Sequence, residues 1–212
     1  MSPAEKLAAG VAELRLEIAA ATQQKLLDYL ALIQKWNRVY NLTAVREMQK
    51  MISHHLLDSL AVIPHVRARS IIDVGSGAGL PGIPLALALP QSRLTLLEAN
   101  HKKAAFLKQA VIELDLRNAD VVCGRVETWE PPQLFDVVIS RAFSGLAEFV
   151  AASGRLCADD GTIAAMKGIY PYEEIAQLPA GFKLRSVVPL GVPGLEAERH
   201  LVLVQPARQA VS

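Results

Sequence analysis

With 212 residues, 51% hydrophobic and 20% charged, the chain can fill one substantial core plus an appendage, is too short for two independent enzymatic domains, and is far from a disordered composition. A formal net charge of +1 neither announces nor excludes a nucleic-acid binder, so any basic surface must come from local distribution. Cys123 and Cys157 are too few for a disulfide framework or a zinc knuckle and read as reduced, buried thiols, while the lack of a basic-then-apolar start and of any apolar run of spanning length predicts a cytoplasmic, non-membrane protein.

The first part reads as helical. Leu7, Val11, Leu14 and Ile18 recur at steps of four and three, and Leu26, Leu30, Ile33, Trp36 and Tyr40 continue a stripe after Thr22. Asn41-Leu42-Thr43 breaks the pattern with turn and cap residues, and a short helix over 54–63 is expected to stop before Pro64. Residues 1–66 are therefore expected to be a helical appendage packed on the core, with 67–212 as the main domain of one globular unit.

From Ser70 the rhythm changes to short β-rich runs separated by helical patterns. Strands are predicted over 70–74, 93–98, 119–123, 135–140 and 161–166, and helices over 83–89, 102–114 and 146–156. Two further runs, 183–189 and 199–204, suggest a terminal antiparallel pair. The sum is an α/β fold, Rossmann-like, with a mostly parallel seven-stranded sheet and helices on both faces.

The first strand runs straight into Gly75-Ser76-Gly77-Ala78-Gly79, where the backbone must turn sharply and lie close to a ligand. A dinucleotide fingerprint would need a third glycine where Leu80 stands, a P-loop needs a Gly-Lys pair that the chain lacks, and a nucleophile elbow needs glycines where Val74 and Ala78 stand. What remains, from Asp73 to Gly79, is Asp-x-Gly-x-Gly-x-Gly, which resembles motif I of class I S-adenosylmethionine-dependent methyltransferases. Glu98 closes the second strand, where a carboxylate can accept both ribose hydroxyls. Asp73 either meets the cofactor or orients the N–H groups of the turn.

Arg125, Arg141 and Lys167 each follow a strand, which predicts a locally basic edge suited to a polyanionic substrate. After the fourth strand, Ser140-Arg141-Ala142-Phe143 lacks the Asn/Asp-Pro-Pro-aromatic pattern of enzymes that methylate exocyclic amines, and no Pro-Cys nucleophile is present for attack on pyrimidine carbon five. A ring nitrogen with a free lone pair, such as guanine N7, fits better, because it needs alignment and no general base. His54, His55 and Asp58 lack a third converging His or Cys, so no metal is expected. Trp36, Tyr40 and Trp129 are expected to pack rather than stack on bases.

Beyond the glycine turn, an ordered series spans nearly the whole chain: Trp36-Asn37, Tyr40-Asn41-Leu42-Thr43, His55-Leu56-Leu57-Asp58-Ser59, Gly79-Leu80-Pro81-Gly82-Ile83-Pro84, Arg125-Val126-Glu127, Lys167-Gly168 and Glu198-Arg199-His200-Leu201. The series resembles the ribosomal RNA small subunit methyltransferase G family, also called glucose-inhibited division protein B. The resemblance implies methylation of N7 of guanosine 527, in the 530 loop of 16S rRNA, on the small ribosomal subunit or its precursor, by a monomer. It implies cofactor contacts at Gly75, Leu80, Val126, Glu127 and Arg141, alongside Asp73, Gly77, Gly79 and Glu98 from the turn and the second strand. Arg141 and Lys167 are expected to position the substrate, and Arg125, Lys167, Arg199 and His55 to meet RNA. Glu98 and His54 stand where the family often has Asp and Arg. A small-molecule methyltransferase, marked by a closed apolar pocket, and a non-catalytic RNA-binding assembly factor, marked by no cofactor affinity, are the alternatives.

Overall fold

A computed structural model of the chain describes residues 1–141, 143 and 145–207, so Ala142 of the Ser-Arg-Ala-Phe motif lies outside it. Ser2 starts α1 (Pro3–Glu13) with a reciprocal cap: its hydroxyl accepts from the Glu5 N–H, and the Glu5 carboxylate accepts from the Ser2 N–H at 2.7 Å. The apolar stripe read as continuous is divided by a turn at Arg15, whose φ is 55°, and resumes in α2 (Ala20–Trp36), which buries Leu26, Tyr29, Leu30, Leu32 and Ile33. Asn37 then holds the break: its Oδ1 accepts from the Leu42 and Thr43 N–H groups and its amide donates to the Thr43 carbonyl.

The helix expected over 54–63 is a composite. It comprises α3 (Met48–Met51), a π-helical turn over Ile52–Leu57, α4 (Asp58–Leu60) and then α5 (Ile63–Val66). Pro64 does not end a helix; it sits in the first turn of α5, where a missing N–H costs no intrahelical bond.

The strands are β1 (Ser70–Val74), β2 (Arg93–Glu98), β3 (Ala119–Cys123), β4 (Phe135–Ser140), β5 (Cys157–Lys167), β6 (Phe182–Pro189) and β7 (His200–Pro206). They form one sheet in the order β3-β2-β1-β4-β5-β7-β6. The first five pair in parallel, and β7 lies antiparallel between β5 and β6. The expected terminal antiparallel pair is therefore present, and β5 runs longer than its apolar stretch because its first half pairs across a register shift at Phe135 and Val137.

Alternation sorts each strand between two apolar layers. Ile71 and Ile139 face the side covered by α2, α6 (Gly82–Ala88) and α7 (His101–Glu113), where Leu30, Ile83 and Leu107 are buried. Ile72, Val138 and Ile163 face Phe149 and Val150 of α8 (Leu146–Ser153). The N-terminal helices share the first core, and Tyr29, completely buried, donates its hydroxyl to the Ala78 carbonyl at 2.5 Å, so α2 is tied to the glycine turn. Cys157 is buried as expected, but Cys123 is only half-buried, with its sulfur 3.2 Å from His101 Nδ1 at the open end of β3. A helix not anticipated, α9 (Tyr172–Ala176), buries none of its residues and so has no apolar period.

Candidate active site

β1 lies between β2 and β4, so the chain turns to opposite sides of the sheet at this point, where ligands of open α/β sheets bind. Ser140 ties the two strand ends by donating to the Val74 carbonyl at 2.8 Å. Gly75, Gly77 and Gly79 carry φ of 69°, 59° and 90°, a left-handed series that side chains rarely adopt. Gly82 is needed for a different reason: a Cβ there would stand 2.2 Å from Leu96 Cδ2 and 2.7 Å from Asp73 Oδ2.

Asp73 is fully buried, and its Oδ2 accepts from the Gly82 N–H at 3.0 Å. Burial pushes its carboxyl up to about 7, against the pull of that hydrogen bond. Of its two anticipated roles, the geometry fits the brace of the turn. Leu80 likewise goes into the core, at 4% exposure, and the Gly77 N–H goes to Glu98 Oε2 at 2.7 Å.

A cavity of about 190 Å³ opens over the ends of β1, β2 and β3, lined by Val74, Gly75, Glu98, Gly124, Val126 and Glu127, with Arg125 and Phe143 at its wall. Among the described residues no atom stands within 4 Å of where a Gly75 Cβ would be, so the backbone itself faces open space there. Glu98 is held by two N–H groups, from Gly77 and from Asn100 at 2.8 Å, and each oxygen keeps a lone pair for a hydroxyl. Arg155 fixes the loop after β3 by donating to the Val126 and Trp129 carbonyls at 2.5 and 2.6 Å.

The second cavity, about 360 Å³, lies over the ends of β4 and β5 and is closed below by the π-helical turn, with His54, His55, Asp58, Arg141, Lys167 and Arg199 in its lining. Here Asp58 joins segments far apart in sequence: its Oδ2 meets Arg141 Nη1 at 3.4 Å and its Oδ1 accepts from Arg199 Nε at 3.1 Å. Burial raises its carboxyl above the usual range, and the two guanidinium groups pull the other way. Arg141 also donates to the His54 carbonyl at 3.0 Å, in the turn whose π geometry displaces its carbonyls from the α ladder. Lys167 pairs with Glu174 of α9 at 2.7 Å, and Glu174 also accepts from the Leu146 N–H. Burial raises the Glu174 carboxyl, but these bonds outweigh it and hold it below its ordinary value.

The basic edge expected of Arg125, Arg141 and Lys167 is thus divided. Their strands follow one another in the chain, but β2 and β1 lie between β3 and β4, so Arg125 lines the first cavity and the other two line the second. His55, expected at the RNA, is 4% exposed, bonded through Nε2 to the Thr43 hydroxyl at 2.9 Å, and pushed down to about 4 by burial and by Arg141, so it is neutral at pH 7 and offers no charge to a phosphate. Asp58 and Glu174, not anticipated, had no local spacing to mark them. Among the described residues no cluster of His, Cys, Asp or Glu could hold a metal, and no helix is long and apolar enough to cross a membrane.

The sheet order, the glycine turn at the switch point and the cleft beside it define a class I S-adenosylmethionine-dependent methyltransferase. Solved structures agree on the fold: the glycopeptide N-methyltransferase MtfA complexed with S-adenosylhomocysteine matches with a TM-score of 0.63 at 12% identity, over 72% of this chain and 87% of that one. Mitomycin 7-O-methyltransferase MmcR also matches with a TM-score of 0.63, at 16% identity over 82% of this chain and 60% of that one. Sequence narrows the class. The family model of rRNA small subunit methyltransferase G matches residues 22–202. Ribosomal RNA small subunit methyltransferase G of Laribacter hongkongensis is 58% identical, over 95% of this chain and 98% of its own, and that of Nitrosospira multiformis 56%, over 99% and 100%. The chain belongs to the rRNA small subunit methyltransferase G family, and its cofactor is S-adenosylmethionine.

Proposed function

We propose that this chain methylates N7 of guanosine 527 in the 530 loop of 16S rRNA, acting as a cytoplasmic monomer on the small ribosomal subunit or its precursor. The observation that carries the reading is a charged, open acceptor cavity beside a nucleoside-sized cleft, in a chain of this family. The residues of the cleft fit the cofactor: Gly75 leaves room for close backbone approach, Glu98 offers acceptors for ribose hydroxyls, and Val126 and Glu127 offer an apolar wall and a carboxylate for the base. When bound, the cofactor supplies a methyl group activated on a sulfonium.

The chain's own task is then placement. Guanine N7 carries a free lone pair, so no proton has to leave before the bond forms, and the side chains around the second cavity suit such an acceptor. Asp58 is engaged by two arginines, and His55 meets Thr43 through Nε2 while its Nδ1 is buried away from the cavity's open space, so neither is placed as a base. Arg141 sits where the loop after β4 passes between the cavities, two residues before Phe143 at the cleft, and with Lys167 it holds the base and its phosphates. A closed apolar pocket, as a small-molecule substrate would need, does not match this lining.

The test is complementation of a strain that lacks the N7 mark. Primer extension after borohydride and aniline cleavage should report the mark restored at guanosine 527, and its absence overturns the proposal. Arg141→Gln and Lys167→Gln should each lower kcat/KM on the order of tenfold or more without unfolding the chain; wild-type turnover in both refutes their role. Calorimetric binding of S-adenosylhomocysteine separates an enzyme from a non-catalytic RNA-binding factor.

A further inference from the structure

A groove of about 700 Å³ continues from the acceptor cavity across the start of β7, with Arg199 in the lining of both. Ile169, Tyr170, Tyr172 and His200 form one part of its lining, with Pro189, Leu190 and Glu198 completing it. Of the six exposed large apolar side chains among the described residues, two stand here: Ile169 at 77% and Tyr172 at 75% exposure. The two tyrosine rings meet with centroids 4.2 Å apart at an interplanar angle of 34°, and Tyr170 also meets the His200 ring, edge-on at 5.6 Å. His200 is held in turn by the Gly168 carbonyl, 2.7 Å from its Nδ1. Tyr170 thus has two ring neighbours, whereas Tyr172 has Tyr170 as its ring neighbour and stays 75% exposed to solvent.

An exposed aromatic ring backed by a second one is the kind of platform on which single-stranded nucleic acids place a base, since every base has a π-face and no hydrogen-bond pattern is required. Arg199, in the lining of both, and Lys167, in that of the cavity, suit the backbone that would run between the cavity and the shelf. We propose that Tyr172, backed by Tyr170 and His200, is a stacking shelf for an unpaired nucleobase that flanks the methylated guanine. The proposal rests on the functional reading above and deepens it: the acceptor is held by the chain at two bases, one in the cavity and one on the shelf.

Turnover on small subunits from cells lacking the mark tests the shelf in its natural setting. Tyr172→Ala should raise KM about five- to a hundredfold with kcat nearly unchanged, and Tyr172→Trp should keep KM at or below the wild-type value. S-adenosylhomocysteine binding should be equal in all three chains, which excludes a folding defect. The second measurement uses a short single-stranded RNA around the target guanosine, with 2-aminopurine placed in turn at each of the three flanking positions on either side. Fluorescence should be quenched by the wild-type chain at one position, and the quench should be lost in Tyr172→Ala. Methylation with equal KM in all three chains, or no quench at any position, overturns the shelf and leaves the functional reading standing. A KM change on subunits without any quench on RNA assigns the patch to a ribosomal protein and overturns the nucleobase. Cofactor binding with no methylation of subunits by the wild-type chain overturns the functional reading itself, and the shelf with it.

Discussion

The cofactor cleft takes its lining from Val74 through Phe143 and uses mostly main chain and strand-end positions, whereas the acceptor cavity draws on Val45 through Arg199 and is made of side chains that meet across the fold. In the cleft, glycine conformations and N–H groups carry the shape, and Glu98 is fixed by the backbone of its own neighbourhood. In the cavity, one buried carboxylate, Asp58, holds together the π-helical turn, the loop after β4 and the start of β7. The contrast separates two ways of being rigid. A backbone-built site resists single substitutions except at its glycines, while a site built on one ion-pair hub fails at the hub.

The hub is where the largest effect is expected. Asp58→Ala leaves Arg141 and Arg199 without their shared partner, each with about a quarter of its side chain exposed (23% and 25%). Partial exposure lets water replace part of what is lost, so a stability loss of about 2 kcal/mol is expected rather than the larger cost of a fully buried pair. Turnover should fall further than stability does, because both arginines lose their orientation. Urea unfolding and kcat/KM on small subunits check this, and a wild-type value in both would show that the cavity needs no hub.

Gly75→Ala probes the other side of the comparison. The added Cβ meets nothing within 4 Å among the described residues, so the cost to the fold is that of the left-handed φ of 69°, about 1 kcal/mol. The methyl group would nonetheless occupy the space a cofactor needs, and binding of S-adenosylhomocysteine should weaken about tenfold or more while the unfolding midpoint moves little. Equal loss of binding and stability would mean that Gly75 serves the turn and not the ligand.

The same contrast explains what could be read from sequence. The cleft was legible because its requirements are local: glycines at fixed offsets after an apolar run, and an acid at the end of the next strand. The first four strands were legible for the same reason, being short and bounded by turn residues. The acceptor cavity was legible only in part. Arg141 and Lys167 stand at strand ends and were found, but Asp58 acts through partners at positions 141 and 199, a separation no periodicity encodes. Asp58 drew notice only beside His54 and His55 as a metal site to be rejected and as part of the family series, never as a partner of arginines. Arg125 was grouped with Arg141 and Lys167 on one basic edge, and it lines a different cavity from theirs because succession in the chain is not adjacency in this sheet. Glu174 and Tyr172 escaped because α9 buries nothing and so leaves no apolar signature.

The smallest net effect on the wild-type chain is its response to pH, because its two regions contribute opposed slopes. Asp73 braces the cleft and His55 walls the cavity, and burial shifts them in opposite directions. His55 falls from 6.5 to about 4, so the unfolded chain binds its proton more readily and stability should rise with pH between about 4 and 6.5. Asp73 rises from 3.8 to about 7, so the folded chain holds its proton more tightly and stability should fall as pH rises between about 4 and 7. The two slopes oppose each other over most of one window and leave the wild type nearly flat in their combined contribution. Asp73→Asn should therefore gain stability relative to wild type as pH increases through that window, and His55→Gln should lose it. The quantity to follow is the difference between variant and wild-type unfolding free energies from pH 4 to 7.5, since the remaining carboxylates cancel in it. Differences that stay constant with pH in both variants would place both groups in surroundings far more polar than the brace at Gly82 and the wall at Thr43 provide.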